Sequence, residues 1–234
     1  MMNSDAAQRR RHFHDQLDTL QDRLLEMAGL AEDLVHRACK AVLERDASQT
    51  RSIQEDDAKI DALEIEVDER TIELLALQQP MARDLRQIFT TLKISNDLER
   101  VGDHATNIAS AANNLAGMSA IPEVRELDEI AHVTMGMLSD SLAAYVARNT
   151  GTARVVCETD DRVDDLRDSM FRILVSHMLE EPRRISPSLE ILRVAQNLER
   201  IADLSTNISE DVVFLVEGKT IKHHAEKAES EAGG

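Results

Sequence analysis

Apolar residues recur along the chain in steps of three and four, the spacing that puts one face of an α-helix against a core. Phe13, Leu17, Leu20, Leu24, Met27, Ala31, Leu34, Ala38 and Val42 form one such stripe, and Ile53, Ile60, Leu63, Val67, Leu74 and Leu77 form a second. Breaks fall at Pro80, at Gly117 with Pro122, at Asn149–Thr150–Gly151, at Pro182 with Pro187, and at Gly218. A softer break lies near Arg45–Thr50, where Asp46 and Ser48 are suited to cap a new helix. The pattern predicts helices over about 12–46, 49–78, 82–116, 123–148, 152–180 and 187–217. Segments 1–11 and 219–234 carry no stripe and are expected to be mobile. Helices of about 30 residues reach about 45 Å, a length that suits a long bundle.

An internal repeat turns six helices into two units. Leu92–Ile108 reads LKISNDLERVGDHATNI and Leu192–Ile208 reads LRVAQNLERIADLSTNI, identical at eight of seventeen positions. Gln79–Pro80 before the first copy is matched by Glu181–Pro182 before the second. Further upstream, Asp57-x-x-Ile60-Asp61 is matched by Asp160-x-x-Val163-Asp164. Three landmarks in the same order mean a duplicated three-helix unit. The expected fold is therefore all-α: two tandem three-helix bundles, over 12–119 and 120–217, with a flexible tail from 218.

Composition supports helix and narrows function. The 234 residues include no Trp, one Tyr and four Phe, with only eight Gly and four Pro to make turns. A net charge of −17 disfavours nucleic acid and anionic lipid as partners, despite small basic clusters at Arg9–Arg10–Arg11 and Arg183–Arg184. No apolar run approaches the roughly 20 residues that span a bilayer. The polar start resembles no signal peptide, and Cys39 and Cys157 form no disulfide framework, so a reducing cytoplasm is expected.

The polar faces carry the candidate chemistry. On the third helix Asn96, Glu99, Asp103, Thr106, Asn107 and Ser110 lie opposite the apolar stripe; on the sixth, Gln196, Glu199, Asp203, Thr206 and Asn207 do. Asp57, Asp61, Glu64 and Asp68 line the second helix, stacking like charges at helical neighbours, which is mildly destabilising without a counter-ion. Solvation alone explains any single acid pair. Yet Asp, Asn and Thr inside a helix each cost about 0.5 kcal/mol against Ala. Bound cations would account for both features, and oxygen-only ligands suit Mg²⁺, Mn²⁺, Ca²⁺ or iron. Neutralisation by Arg100 and Arg200, beside the acids, is the plainer alternative. His104 points about 100° away from Asp103, and its counterpart is Leu204, so the Glu-x-x-His pattern of di-iron bundles is absent. No nucleotide loop, GxSxG or CxxC is present. Met27, Met135, Met137, Met170 and Met178, like the two cysteines, read as core.

The Glu-Arg-x-x-Asp-x-x-x-Asn-Ile core at 99–108 and 199–208, with Gln-Pro and Asp-x-x-Ile-Asp upstream, resembles the duplicated motif of the PhoU family over about 12–217. That resemblance implies metal-binding acid motifs at Asp57/Asp61, Glu99/Asp103, Asp160/Asp164 and Glu199/Asp203, with Glu64 a further acid in the first unit. It implies a regulator that restrains a phosphate ABC transporter, through its ATPase subunit, and a phosphate-sensing histidine kinase when phosphate is plentiful. It further implies a homodimer and no enzymatic activity. A metal-dependent phosphohydrolase and a regulator of a different phosphate permease are the alternatives. Arg167 replaces Glu64, and Ala202 and Leu204 replace Gly102 and His104, so weaker metal binding is expected in the second unit.

Overall fold

The computed structural model describes residues 2–78 and 80–221, with side chains described over 12–77 and 80–221. Six long helices follow one another: α1 (Met2–Leu43), α2 (Thr50–Gln78), α3 (Ala82–Ala116), α4 (Arg125–Ala147), α5 (Thr150–Glu180) and α6 (Ile185–Glu217). No strand occurs among the described residues. None of these helices is long and apolar enough to cross a membrane.

The ends obey local chemistry. Asp46 accepts a hydrogen bond from the Ser48 N–H and opens a 3-10 turn, Ala47–Gln49, that leads into α2. Asn149 caps α5 by accepting from the Gly151 and Thr152 N–H groups. A second 3-10 turn, Pro182–Arg184, carries the chain into α6 two residues before the expected start, because Pro187 is tolerated in a first turn where its missing N–H has no helical partner. Gly218, at φ 71°, ends α6 in a left-handed conformation that favours glycine. α1 begins at Met2 rather than near residue 12. Asp5-Ala-Ala-Gln-Arg lacks an apolar stripe but contains no helix breaker. The expected flexible tail at 222–234 lies outside the described residues, as do His223 and His224.

α1, α2 and α3 form one three-helix unit, and α4, α5 and α6 the other. The α1 stripe is buried throughout, and so is the apolar face of α3 at Leu98, Val101, Ala105, Ile108, Ala112 and Leu115. On α2 the stripe holds to Leu74, while Leu77 is exposed. Met27, Met137 and Met170 are buried, and Met135 and Met178 pack against the core from its edge. The main core is continuous across both units; a small second cluster of Phe13, Leu17, Leu20, Val67, Leu74 and Ile88 closes the far end of the first.

α3 and α6 join the units. His104 Nδ1 lies 2.9 Å from Asn197 Oδ1, and Asn114 Nδ2 donates to Glu190 Oε2 at 3.3 Å. Phe89 meets Phe214 edge-on, ring centres 6.5 Å apart. Positions rise along α3 as they fall along α6, so the two motif-bearing helices are antiparallel and cross near residues 101 and 201. Thr91 and Tyr145 add a buried 3.1 Å hydrogen bond between α3 and α4.

Candidate functional site

In the first unit the acids of α2 and α3 act on one another. Asp57 and Glu99 are half-buried, and Asp61 and Asp103 are exposed. Burial first, then the neighbouring Asp61 and Asp103 carboxylates, pushes Asp57 up to about 6. Glu99 is also raised, by burial and then by Asp103, Glu64, Asp61 and Asp57. These five acids therefore share one electrostatic field. Glu64 accepts a hydrogen bond from Asn96 at 3.2 Å. Asp68 lies further along, in a groove of about 350 Å³ lined also by Glu64, Leu92, Lys93, Asn96, Asp97 and Asn207.

Gly102 makes the close approach of α2 to α3 possible. A Cβ placed on it would stand 2.4 Å from Asp57 Oδ1 and 3.2 Å from Ile60 Cδ1. That same Oδ1 is buried and lacks a hydrogen-bond partner. A desolvated carboxylate oxygen without a donor is costly, and it is the group a cation would satisfy. Arg100 turns away from the cluster and pairs loosely with Asp97, at 3.9 Å. No lysine or arginine is ion-paired with the five acids among the described residues. Tested against an oxygen-ligated ion, the donor set fits. The side chains as they stand are not drawn together around a common point, and among the described residues no three His, Cys, Asp or Glu groups form a ready-made metal cage.

The second unit repeats the acids and changes the electrostatics. Burial, followed by Asp203, Asp164, Asp161 and Glu199, pushes Asp160 up to about 6. Glu199 is raised by burial and Asp203, but Arg200 and Arg167 oppose the rise. Arg167 Nη1 donates to Glu199 Oε1 at 2.9 Å and lies 3.2 Å from Asp164 Oδ1, while Nη2 reaches Asp168 Oδ1 at 3.0 Å. Arg200 Nη1 donates to Asp203 Oδ2 at 3.1 Å. Neutralisation by arginine, an alternative for both units, is realised in the second alone.

His104, expected to point away from the acids, faces Asn197. Cys39 is buried and its thiol is pushed up to about 12; half-buried Cys157 is pushed up to about 11, burial being the main cause in each. Neither is a poised nucleophile. The cradle at Gly102 escaped sequence reasoning, although a glycine inside a helix, costing about 1 kcal/mol against Ala, was a signal for it.

A family model described as the PhoU domain matches residues 24–112 and again 127–212, one copy in each unit. A relative from Clostridium acetobutylicum, named a phosphate-specific transport system accessory protein PhoU homolog, is 38% identical over 91% of this chain and 97% of its own. One of the same name from Rhizobium meliloti is 36% identical, over 88% of this chain and 87% of its own. The crystal structure of PhoU from Pseudomonas aeruginosa superposes with a TM-score of 0.85 at 35% identity, covering 88% of this chain and all of that one. The phosphate transport system regulatory protein PhoU from Streptococcus pneumoniae gives 0.82 at 25% identity, over 90% of this chain and 99% of its own. Matched twice by the family model and along nearly its whole length by these relatives, the chain belongs to the PhoU family.

Proposed function

We propose that this protein is a regulatory adaptor of phosphate homeostasis. It restrains a phosphate ABC transporter, through the ATPase subunit, and the phosphate-starvation kinase when phosphate is plentiful. The observation that carries this reading is the doubled PhoU domain, in a chain similar over most of its length to proteins named as accessory to phosphate-specific transport. It acts by protein contact in the cytoplasm, as a homodimer, and not as an enzyme. Supporting this, Leu85 and Phe89 at the start of α3 are exposed, and so are Ile185 and Leu189 at the matching positions of α6. Exposed apolar side chains at equivalent places in both repeats are the material of a protein interface.

In the first unit Asp57, Asp61, Glu64, Glu99 and Asp103 would hold a Mg²⁺, Mn²⁺, Ca²⁺ or iron ion. Such an ion, when bound, supplies positive charge that cancels the repulsion between α2 and α3. The chain's own part is to bring five acids to one helix seam and to leave Asp57 Oδ1 without another partner.

Deleting the protein is expected to leave a starvation-response reporter on in phosphate-rich medium. Normal repression of that reporter in the deletion strain would place the protein on a different permease. Metal-dependent phosphatase turnover, lost in Glu99→Gln, would instead make it a hydrolase.

A further inference from the structure

We propose that the second acid site has exchanged its metal ion for a resident guanidinium, Arg167, so that only the first unit takes up a metal cation. The inference rests on reading the first site as a metal site, but its core concerns side chains already in contact.

Arg167 occupies the position that Glu64 holds in the first unit, and its planar fork binds three acids at once. Asp164, Asp168 and Glu199 all lie within 3.2 Å of its terminal nitrogens. Arg200 adds Asp203 at 3.1 Å and Glu199 at 3.5 Å. An arginine never loses its charge, and an attached guanidinium needs no concentration in solution to stay in place. An incoming metal ion must strip these acids of hydrogen bonds and ion pairs they already make.

Backbone space points the same way. Asp57 lies over Gly102, its Oδ1 only 2.4 Å from where a Cβ would stand. The equivalent of Gly102 is Ala202, which carries that Cβ and is fully buried. Asp160 is thus denied the pose that Asp57 adopts. The orphaned carboxylate oxygen of the first site has no counterpart at Asp160 among the described residues. Two independent changes, one of charge and one of space, close the second site.

The full-length protein, stripped with EDTA and reloaded with Mn²⁺, tests this through retained metal and melting temperature. Asp103→Asn should lose most of the Mn²⁺ held by wild type, and Asp203→Asn should lose little. In EDTA, Arg167→Gln should lower the melting temperature by about 3 °C, the scale of a part-exposed ion-pair network. The reciprocal Glu64→Arg should raise it and erase the Mn²⁺ response. Arg167→Glu combined with Ala202→Gly should about double the retained Mn²⁺, by restoring the acidic oxygen-donor set. Equal Mn²⁺ loss in the Asp103 and Asp203 variants overturns the proposal, and so does an unchanged EDTA melt for Arg167→Gln. Wild type that neither retains nor responds to Mn²⁺ sinks the metal reading of the first site; the EDTA melt of Arg167→Gln then still decides the role of Arg167.

Discussion

Lys93 on α3 and Asp211 on α6 form an ion pair across the seam between the units, and the repeat has no second copy of it. The equivalent positions are Arg193, which pairs with its own neighbour Glu190, and Ala111. Asp211 is 2% exposed, and its Oδ2 is buried without a hydrogen-bond partner. Lys93 also sits 5.7 Å above the Phe89 ring.

Removing Lys93 therefore leaves a buried carboxylate without its cation. Lys93→Met should destabilise the protein by about 3 kcal/mol, the cost of breaking rather than replacing a buried pair. Replacing both partners, with Lys93→Met and Asp211→Leu, should recover most of the loss. Urea unfolding of the three variants measures this, and a double variant no better than the single one contradicts the account.

Asp57 and Glu99 are both raised in the first site, Asp57 up to about 6. The folded value of Asp57 stands above the ordinary 3.8, so the folded state holds the proton more tightly than the unfolded chain. That contribution to stability is fully present below about 3.8 and is lost as the pH rises through about 6. In EDTA, Asp57→Asn should be more stable than wild type at pH 7.5 by about 1 kcal/mol, a figure reduced for solvent screening of a half-exposed group. At pH 4 the gap should close. A gap that persists there assigns the gain to packing rather than to charge.

Gly102→Ala separates fold from site. Alanine is the better helix former by about 1 kcal/mol. The two atoms its Cβ meets, Asp57 Oδ1 and Ile60 Cδ1, are each the end of a side chain, the first free to turn aside and the second needing to give only a few tenths of an ångström. The EDTA melting temperature should hold or rise, while the stabilisation gained from added Mn²⁺ shrinks. A lower EDTA melt with an intact Mn²⁺ response reverses both expectations.

The helices were legible because a step of three and four survives any context in which one face is buried. The α1 stripe from Phe13 to Val42 needed no knowledge of its neighbours. The start of α1 at Met2 was hidden for the complementary reason: helix held by backbone propensity alone leaves no periodic mark. The acids of the candidate site could be found by spacing, and the changed charge of the second unit by Arg167. What spacing could not supply was the antiparallel register of α3 on α6, which brings His104 to Asn197 across 93 positions of sequence. Nor could it supply the lean of Asp57 over Gly102, a relationship between two helices and not a property of either.

Near-twofold molecules ordinarily offer a visitor two interchangeable orientations. Here Arg167 and Arg200 are paired with Asp164, Asp168, Glu199 and Asp203 of the second unit, while among the described residues no lysine or arginine pairs with the five acids of the first. Rotating the molecule half a turn no longer returns the same surface potential. A partner that reads this charge meets two different surfaces rather than one surface twice.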